Sequence, residues 1–192
     1  MFRVLIVAWA TAIMTGSLFL GHFTASPGQA SAVPVAWPEE STLEPAEIVL
    51  FVHPNCPCSQ ATMRQLERVL ARVPRLPKLL VVAYQPSSQS PEWYQTDLVR
   101  ALEKLAGRPA SVDVGGREAR RFGATTSGHL LAFDSVGQLC FSGGITAGRG
   151  HEGDNPGQLA LLDLIAGEAL PGPHRYPVYG CPLLPAESES DL

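Results

Sequence analysis

The sequence predicts an α/β domain, a strand–helix–strand–helix unit followed by an antiparallel hairpin and a closing helix, behind an N-terminal membrane or signal segment. Three observations carry this expectation. Two short, continuous apolar runs, Ile48-Val49-Leu50-Phe51-Val52 and Leu79-Leu80-Val81-Val82-Ala83, have the composition of strands buried on both faces. Each is followed by a stretch with helical apolar spacing: Met63, Leu66, Val69, Leu70 and Val73 after the first, and Leu98, Ala101, Leu102 and Leu105 after the second. Alternation of strand and helix in this order belongs to parallel strands joined by crossover helices.

The first helix is expected to stop at Pro74 and Pro77, and the second, over 97–106, at Gly107. The pattern then changes. Residues 129–133 read as a strand, Asp134-Ser135-Val136-Gly137 as a turn and 138–142 as the returning strand. A Gly-rich stretch from Gly143 to Gly157 leads into a last helix over 158–168, with Leu161, Leu162 and Ile165 facing inward.

The chain opens Met1-Phe2-Arg3 and runs from Val4 to Phe23 almost without charge, His22 being the one titratable side chain in the run. About 20 apolar residues suffice to cross a bilayer. Arg3 precedes the run, while Glu39, Glu40, Glu44 and Glu47 follow it with no Lys or Arg before Arg64. The positive-inside rule therefore puts the body of the protein outside the cytoplasm. Two readings stay open: a signal anchor that remains, and a signal peptide cut after Ala30-Ser31-Ala32. The resulting organisation is a signal segment over 1–24, a Pro/Ala/Ser/Glu linker over 25–46, the α/β domain over 47–170 and a Pro-rich tail over 171–192.

The net charge of −4 is mild, and the 14 basic residues form no stripe or cluster, so nucleic acid is not expected as a partner. The four cysteines are Cys56, Cys58, Cys140 and Cys181. One close pair and two remote singles fit a reactive or metal site better than a disulfide scaffold.

The pair sits where the first strand meets the first helix. Pro57 suits the first helical position, which puts Cys56 at the N-cap and Cys58 inside the helix. A sulfur there faces unpaired backbone N–H groups and the positive end of the helix dipole, which favours the thiolate. Cys56 is thus expected as the attacking sulfur and Cys58 as the one that resolves a mixed disulfide. The one-residue spacing closes a small ring, and a strained disulfide is a labile one. A metal reading stands beside this cofactor-free one. His53, Cys56 and Cys58 lie within six residues, and two thiolates with an imidazole suit copper as Cu(I), or Zn(II).

With these residues in view, the chain resembles the thioredoxin-like superfamily over residues 46–170. It is particularly similar to the extracytoplasmic, often membrane-anchored proteins that some bacteria carry under the label RedB. The strand before Cys56-Pro57-Cys58 matches the family's strand, active-site turn and helix. The stretch Phe122-Gly123-Ala124-Thr125-Thr126-Ser127-Gly128-His129-Leu130-Leu131-Ala132-Phe133 resembles the segment where thioredoxins carry a cis-proline opposite the active cysteines. Two departures stand out: Cys-x-x-Cys is shortened to Cys-x-Cys, and the cis-proline position holds Gly128. In the family that proline shapes the substrate-docking backbone and keeps metal off the cysteines.

The resemblance implies thiol–disulfide exchange with a redox partner protein or thiol substrate, on the periplasmic side of a bacterial inner membrane. It assigns Gly128 and His129 to substrate docking. It also brings the expanded turn over 143–155 beside the cysteines, with Gly144 and His151 as further substrate contacts and Arg149, Glu152 and Asp154 nearby. On the copper alternative, His151 joins His53, Cys56 and Cys58 as a ligand. Cys140 is expected to be buried as a small apolar residue. For Cys181, folding back as a third redox thiol and pairing with Cys140 both remain open.

Overall fold

The computed structural model describes residues 2–29, 31–168 and 172–184. Ala30 of the expected cleavage motif and residues 185–192 of the tail lie outside the described residues. The elements run α1 (Phe2–Ala25), β1 (Ile48–Val52), α2 (Cys58–Leu70), β2 (Leu79–Gln85), α3 (Asp97–Ala106), β3 (Ser111–Val114), α4 (Arg117–Arg121), β4 (His129–Phe133), β5 (Leu139–Gly143), α5 (Pro156–Ala166) and β6 (His174–Arg175).

The six strands form one sheet in the order β3-β2-β1-β4-β5-β6. β1 pairs parallel with β2 and antiparallel with β4, and β4 pairs antiparallel with β5. This is the thioredoxin-like arrangement: βαβ, then a crossover helix, a hairpin and a closing helix. One insertion widens it, because β3 and α4 extend the sheet beyond β2. β6, from the tail, adds to the other edge beside β5.

Both faces of the sheet are covered, which is why β1, β2 and β4 read as continuous apolar runs rather than alternating ones. Ile48, Leu50, Val52, Val81 and Leu130 pack with Leu66, Leu102 and Leu161 of α2, α3 and α5. The alternate residues Val49, Phe51, Leu80 and Leu131 pack with Ala119 and Phe122 on the opposite face. Trp37 closes that second face, edge-on to both Phe122 and Phe133. The segment read as a linker is therefore held to the domain: Gly28 N donates to Val178 O at 2.8 Å and Thr125 Oγ1 donates to Gln29 O at 2.7 Å. Leu139 N donates to Val35 O, Trp37 N donates to Gly137 O, and Ser41 Oγ donates to the Glu118 carboxylate at 2.7 Å.

α3 follows its predicted bounds. Thr96 caps its N-terminus, accepting from Val99 N, and Gly107 ends it at φ 65°. α2 ends at Leu70, one turn earlier than expected, so Val73 lies outside it. β3 and α4 were not predicted. β3 is an outer strand with Val112 and Val114 exposed, and its one buried side chain, Asp113, accepts from the backbone N–H groups of Glu118 and Ala119 to start the five-residue α4.

Among the described residues, α1 is the one helix long and apolar enough to cross a membrane. At 24 residues it spans about 36 Å against a hydrocarbon core of about 30 Å, and none of its side chains is buried.

Candidate functional site

The site forms where β1 ends and α2 begins. Cys56 N donates to His53 O at 3.0 Å, closing a turn with Pro54 and Asn55 at its centre. Thr96 Oγ1 donates to Pro54 O at 3.1 Å, so the cap of α3 also holds this turn. The first residue of α2 is Cys58, with Pro57 at the cap in helical geometry, one position later than the sequence suggested. The consequence for Cys56 is the same. It lies against the open N-terminus of α2, and Ser59 N donates to its carbonyl at 3.1 Å.

Ser127 locks the two sides of the turn together. Its hydroxyl accepts from His53 N at 2.7 Å and hydrogen-bonds the Ser59 hydroxyl at 2.7 Å. The next residue, Gly128, has φ 91°, donates its N–H to Phe51 O at 2.8 Å, and comes so close to α2 that a Cβ would lie 2.8 Å from Thr62 Oγ1. Glycine at this position thus has a local reason: left-handed backbone and close contact with α2 at Thr62.

The third cysteine of the site comes from the tail. Cys181 Sγ lies 3.0 Å from Cys56 Sγ, and Cys181 N donates to Cys56 Sγ at 3.4 Å. The sulfurs of Cys56, Cys58 and Cys181 all lie within 4.8 Å of one another, and all three are free thiols. Of the two fates open to Cys181, the structure shows the return to Cys56. Cys140 stands apart on β5, half-buried rather than buried, its thiol facing Gln138 O at 3.6 Å. It is on the outward-leaning position of an otherwise buried strand, which period-2 alternation alone did not separate from the core.

The three thiols differ in acidity. Burial raises Cys56, but hydrogen bonds from the Cys181 thiol, from the Ser59 side chain and from the N–H groups of Cys181 and Ser59 outweigh it, and its pKa falls below the usual thiol value. Cys58 is raised, by burial first and then by the negative charge of Cys56, with Arg149 opposing. Cys181 is pushed up to about 12 by burial, by its hydrogen bond to Cys56 and by the charges of Cys56 and Cys58. Cys56 is therefore the most acidic of the three thiols, and the Cys181 thiol donates to it.

The expanded turn over 143–155 is pinned to the domain. Glu152 pairs with Arg64 of α2 at 2.9 Å and also with Arg68, and Gly153 O accepts from Gln65 Nε2 at 2.7 Å. This holds Arg149 by the cysteines, where its guanidinium donates to Gly180 O and its charge acts on Cys58 and Cys181. Arg149 also stacks over the Phe23 ring of α1 at 5.0 Å, and its N–H donates to Thr24 O at 2.9 Å. The end of the apolar helix thus meets the site. The sequence named Arg149, with His151, Glu152 and Asp154, among the loop residues expected near the cysteines.

The remaining expected site residues divide. Gly144 N donates to Pro177 O at 3.3 Å, which puts it against the tail. His129 is buried on β4, its Nε2 paired with Ser142 Oγ at 2.8 Å, and it lines a cavity of about 220 Å³ with Pro27, Gly28, Tyr176 and Val178. His53 is half-buried, stacked on Tyr84 and edge-on to Trp93, with Nδ1 accepting from Asn55 N. His151 is exposed and its Nδ1 pairs with Arg149 O at 2.8 Å. Among the described residues, the cluster with ligand atoms in mutual reach is the three cysteines, and neither histidine belongs to it.

No protein-family model matches the chain, and no curated protein matches its sequence. Solved structures do match its fold. An uncharacterized conserved protein from Geobacillus kaustophilus superposes with a TM-score of 0.53 at 14% identity, covering 85% of this chain and 94% of that one. A hypothetical protein from Sinorhizobium meliloti 1021 gives 0.51 at 20% identity, covering 85% and 96%. A thioredoxin-like superfamily protein gives 0.43 at 18% identity, covering 77% and 100%. The likeness is one of fold. The chemistry has to be read from this chain's own cysteines.

Proposed function

We propose that this protein carries out thiol–disulfide exchange outside the cytoplasm, tethered or delivered by α1, in the manner of the RedB-like proteins it resembles. The observation that supports this most is the contrast within the cysteine cluster: one thiol at a helix start whose pKa is lowered by the donors facing it, with two further thiols in reach of it. The Cys56 thiolate attacks a partner's disulfide, forming a mixed disulfide and releasing one partner thiolate. The Cys58 thiolate then attacks Cys56 Sγ, forming Cys56–Cys58 and releasing the second partner thiolate. The partner gains two electrons and the cysteine pair loses two; run backwards, the same steps oxidise a dithiol. No bound cofactor is needed, only a redox partner protein or thiol substrate.

Full-length protein in detergent, pre-reduced and challenged with oxidised glutathione, tests this reading. Intact mass is expected to show uptake of one disulfide per chain, abolished by Cys56→Ser. Undiminished uptake in Cys56→Ser contradicts it.

A second reading, a Cu(I) carrier, is favoured by one observation: three sulfurs converge within 4.8 Å, a donor set that suits a soft monovalent ion. On this reading Cys56, Cys58 and Cys181 are the ligands, in place of the His53 and His151 expected from the sequence. Anaerobic reconstitution is then expected to leave about one Cu(I) per chain by this ligand count, lost in Cys181→Ser. Absence of bound copper after gel filtration rejects it.

A further inference from the structure

Cys56 is only 2% exposed, and what covers it is the chain's own tail. Residues 180–183 lie extended against residues 125–127. Ser127 N donates to Cys181 O at 2.9 Å, Leu183 N donates to Thr125 O at 2.8 Å, and Thr126 and Pro182 form an antiparallel bridge. This is main-chain recognition of an extended segment, in which backbone hydrogen bonds hold the strand and leave its side chains to be selected by what they meet. The side chain selected here is a cysteine, facing the Cys56 sulfur at 3.0 Å. The tail is fixed on both sides of it. Upstream, Tyr176 N donates to Ser142 O at 2.9 Å, and Arg149 binds Gly180 O. Downstream, Leu183 is buried in the core face that holds Phe51 and Phe122. Gly180 passes so close to the 125–127 segment that a Cβ would lie 2.0 Å from Ser127 O.

We infer that Cys181 is the third redox residue of this site, and that the tail presents it to Cys56 from the edge on which an extended, cysteine-bearing peptide would dock. The inference rests on the exchange reading above and extends it. The step is an internal exchange. The Cys181 thiolate attacks Cys56 Sγ of a Cys56–Cys58 disulfide; the Cys56–Cys181 bond forms, the Cys56–Cys58 bond breaks, and the electron pair leaves on Cys58. Cys58 takes up the proton that Cys181 gave. Electrons are conserved within the protein, so no oxidant is consumed. The disulfide moves from a three-residue ring to a bond that staples the tail over the docking edge. A partner has to displace the tail to reach Cys56.

The experiment is disulfide mapping of the full-length protein in detergent after oxidation by oxidised glutathione. Trypsin cuts after Arg3, Arg64 and Arg175, leaving Cys56 and Cys58 in residues 4–64, Cys140 in 122–149 and Cys181 in 176–192. In Cys58→Ser, residues 4–64 are expected to be linked to 176–192, with 122–149 unlinked. Gly180→Val, which touches no cysteine but cannot seat the tail, is expected to lower the 4–64/176–192 link several-fold in the Cys58→Ser background. Glutathione left on Cys56 of Cys58→Ser, with no link to 176–192, overturns the role of Cys181 while leaving exchange at Cys56 intact. A wild-type protein that takes up no disulfide at all overturns the exchange reading and this inference together. An undiminished link in Gly180→Val overturns the docked tail as its cause.

Discussion

The turn between β1 and α2 and the hairpin between β4 and β5 each carry cysteine chemistry on the same sheet, and they treat it oppositely. At the turn, Cys56 is buried yet acidic, because Ser59 and Cys181 hydrogen-bond its sulfur. On the hairpin, Cys140 is more exposed, yet burial and the nearby Asp134 carboxylate raise it, and a hydrogen bond from the Asp134 backbone only partly offsets them. Exposure alone therefore does not make a reactive thiol here. The donors that face the sulfur do: the returning tail and the start of α2 together supply several at Cys56, while Cys140 has one, from the Asp134 backbone.

The largest effect expected from this contrast is chemical. Cys56→Ser reduces disulfide exchange to the uncatalysed level, and Cys140→Ser leaves it unchanged, measured as glutathione released per chain. Loss of activity in both variants would erase the distinction between the two regions.

The next effect concerns the hairpin end. Burial, aided by the charge of Arg175, lowers the pKa of His129 to about 4. Above about pH 6.5 the imidazole is neutral in folded and unfolded chains alike. Between there and about pH 4 the unfolded chain binds the proton and the folded chain does not, so stability falls as pH falls through that window, by about 3 kcal/mol in all. Urea unfolding of the protein in detergent at pH 7 and pH 4.5 (roughly the two sides of this window) checks it. His129→Gln is expected to lose most of the difference, and an equal pH dependence in the variant would refute the assignment.

Smaller still is a difference between two glycines. Gly128→Ala introduces left-handed backbone strain and an overlap with Thr62 Oγ1, and is expected to cost about 2–3 kcal/mol. Gly137→Ala at the hairpin tip, with φ 80° and only ordinary contact with Trp37, is expected to cost about 1 kcal/mol. The same urea midpoints measure both, and equal costs would mean that the approach of Gly128 to α2 is not tight. The smallest effect is Thr96→Ala, about 1 kcal/mol or less from loss of the α3 cap, with some loosening of Pro54.

Much of the scaffold was legible because it obeys periodicity. The runs at Ile48–Val52 and Leu79–Gln85, the spacing of Leu98 and Leu102, and the turn at 134–137 are local patterns with one structural solution. β3 and α4 were not legible. A four-residue outer strand with two exposed valines and a five-residue helix capped from Asp113 leave no apolar period to detect. The pair Cys56 and Cys58 was legible for a similar reason, as a local motif at a strand–helix junction. Cys181 was legible only as one of two open fates, because it reaches Cys56 across 125 residues through backbone hydrogen bonds, which side-chain pattern does not encode. The small glycines Gly180 and Gly128, which permit the close approach of tail and helix, were the only local signals. His53 and His151 looked like ligands because they are near in sequence or loop, yet they are satisfied by Asn55 and by the Arg149 carbonyl.

The measurement that tests the central claim most directly is a redox titration of the full-length protein in detergent across glutathione buffers, with the oxidised fraction read by thiol alkylation and mass. The account predicts one reversible two-electron transition that disappears in Cys56→Ser and persists in Cys140→Ser. A cysteine cluster that stays reduced across the whole range, or a transition that survives Cys56→Ser, would contradict it.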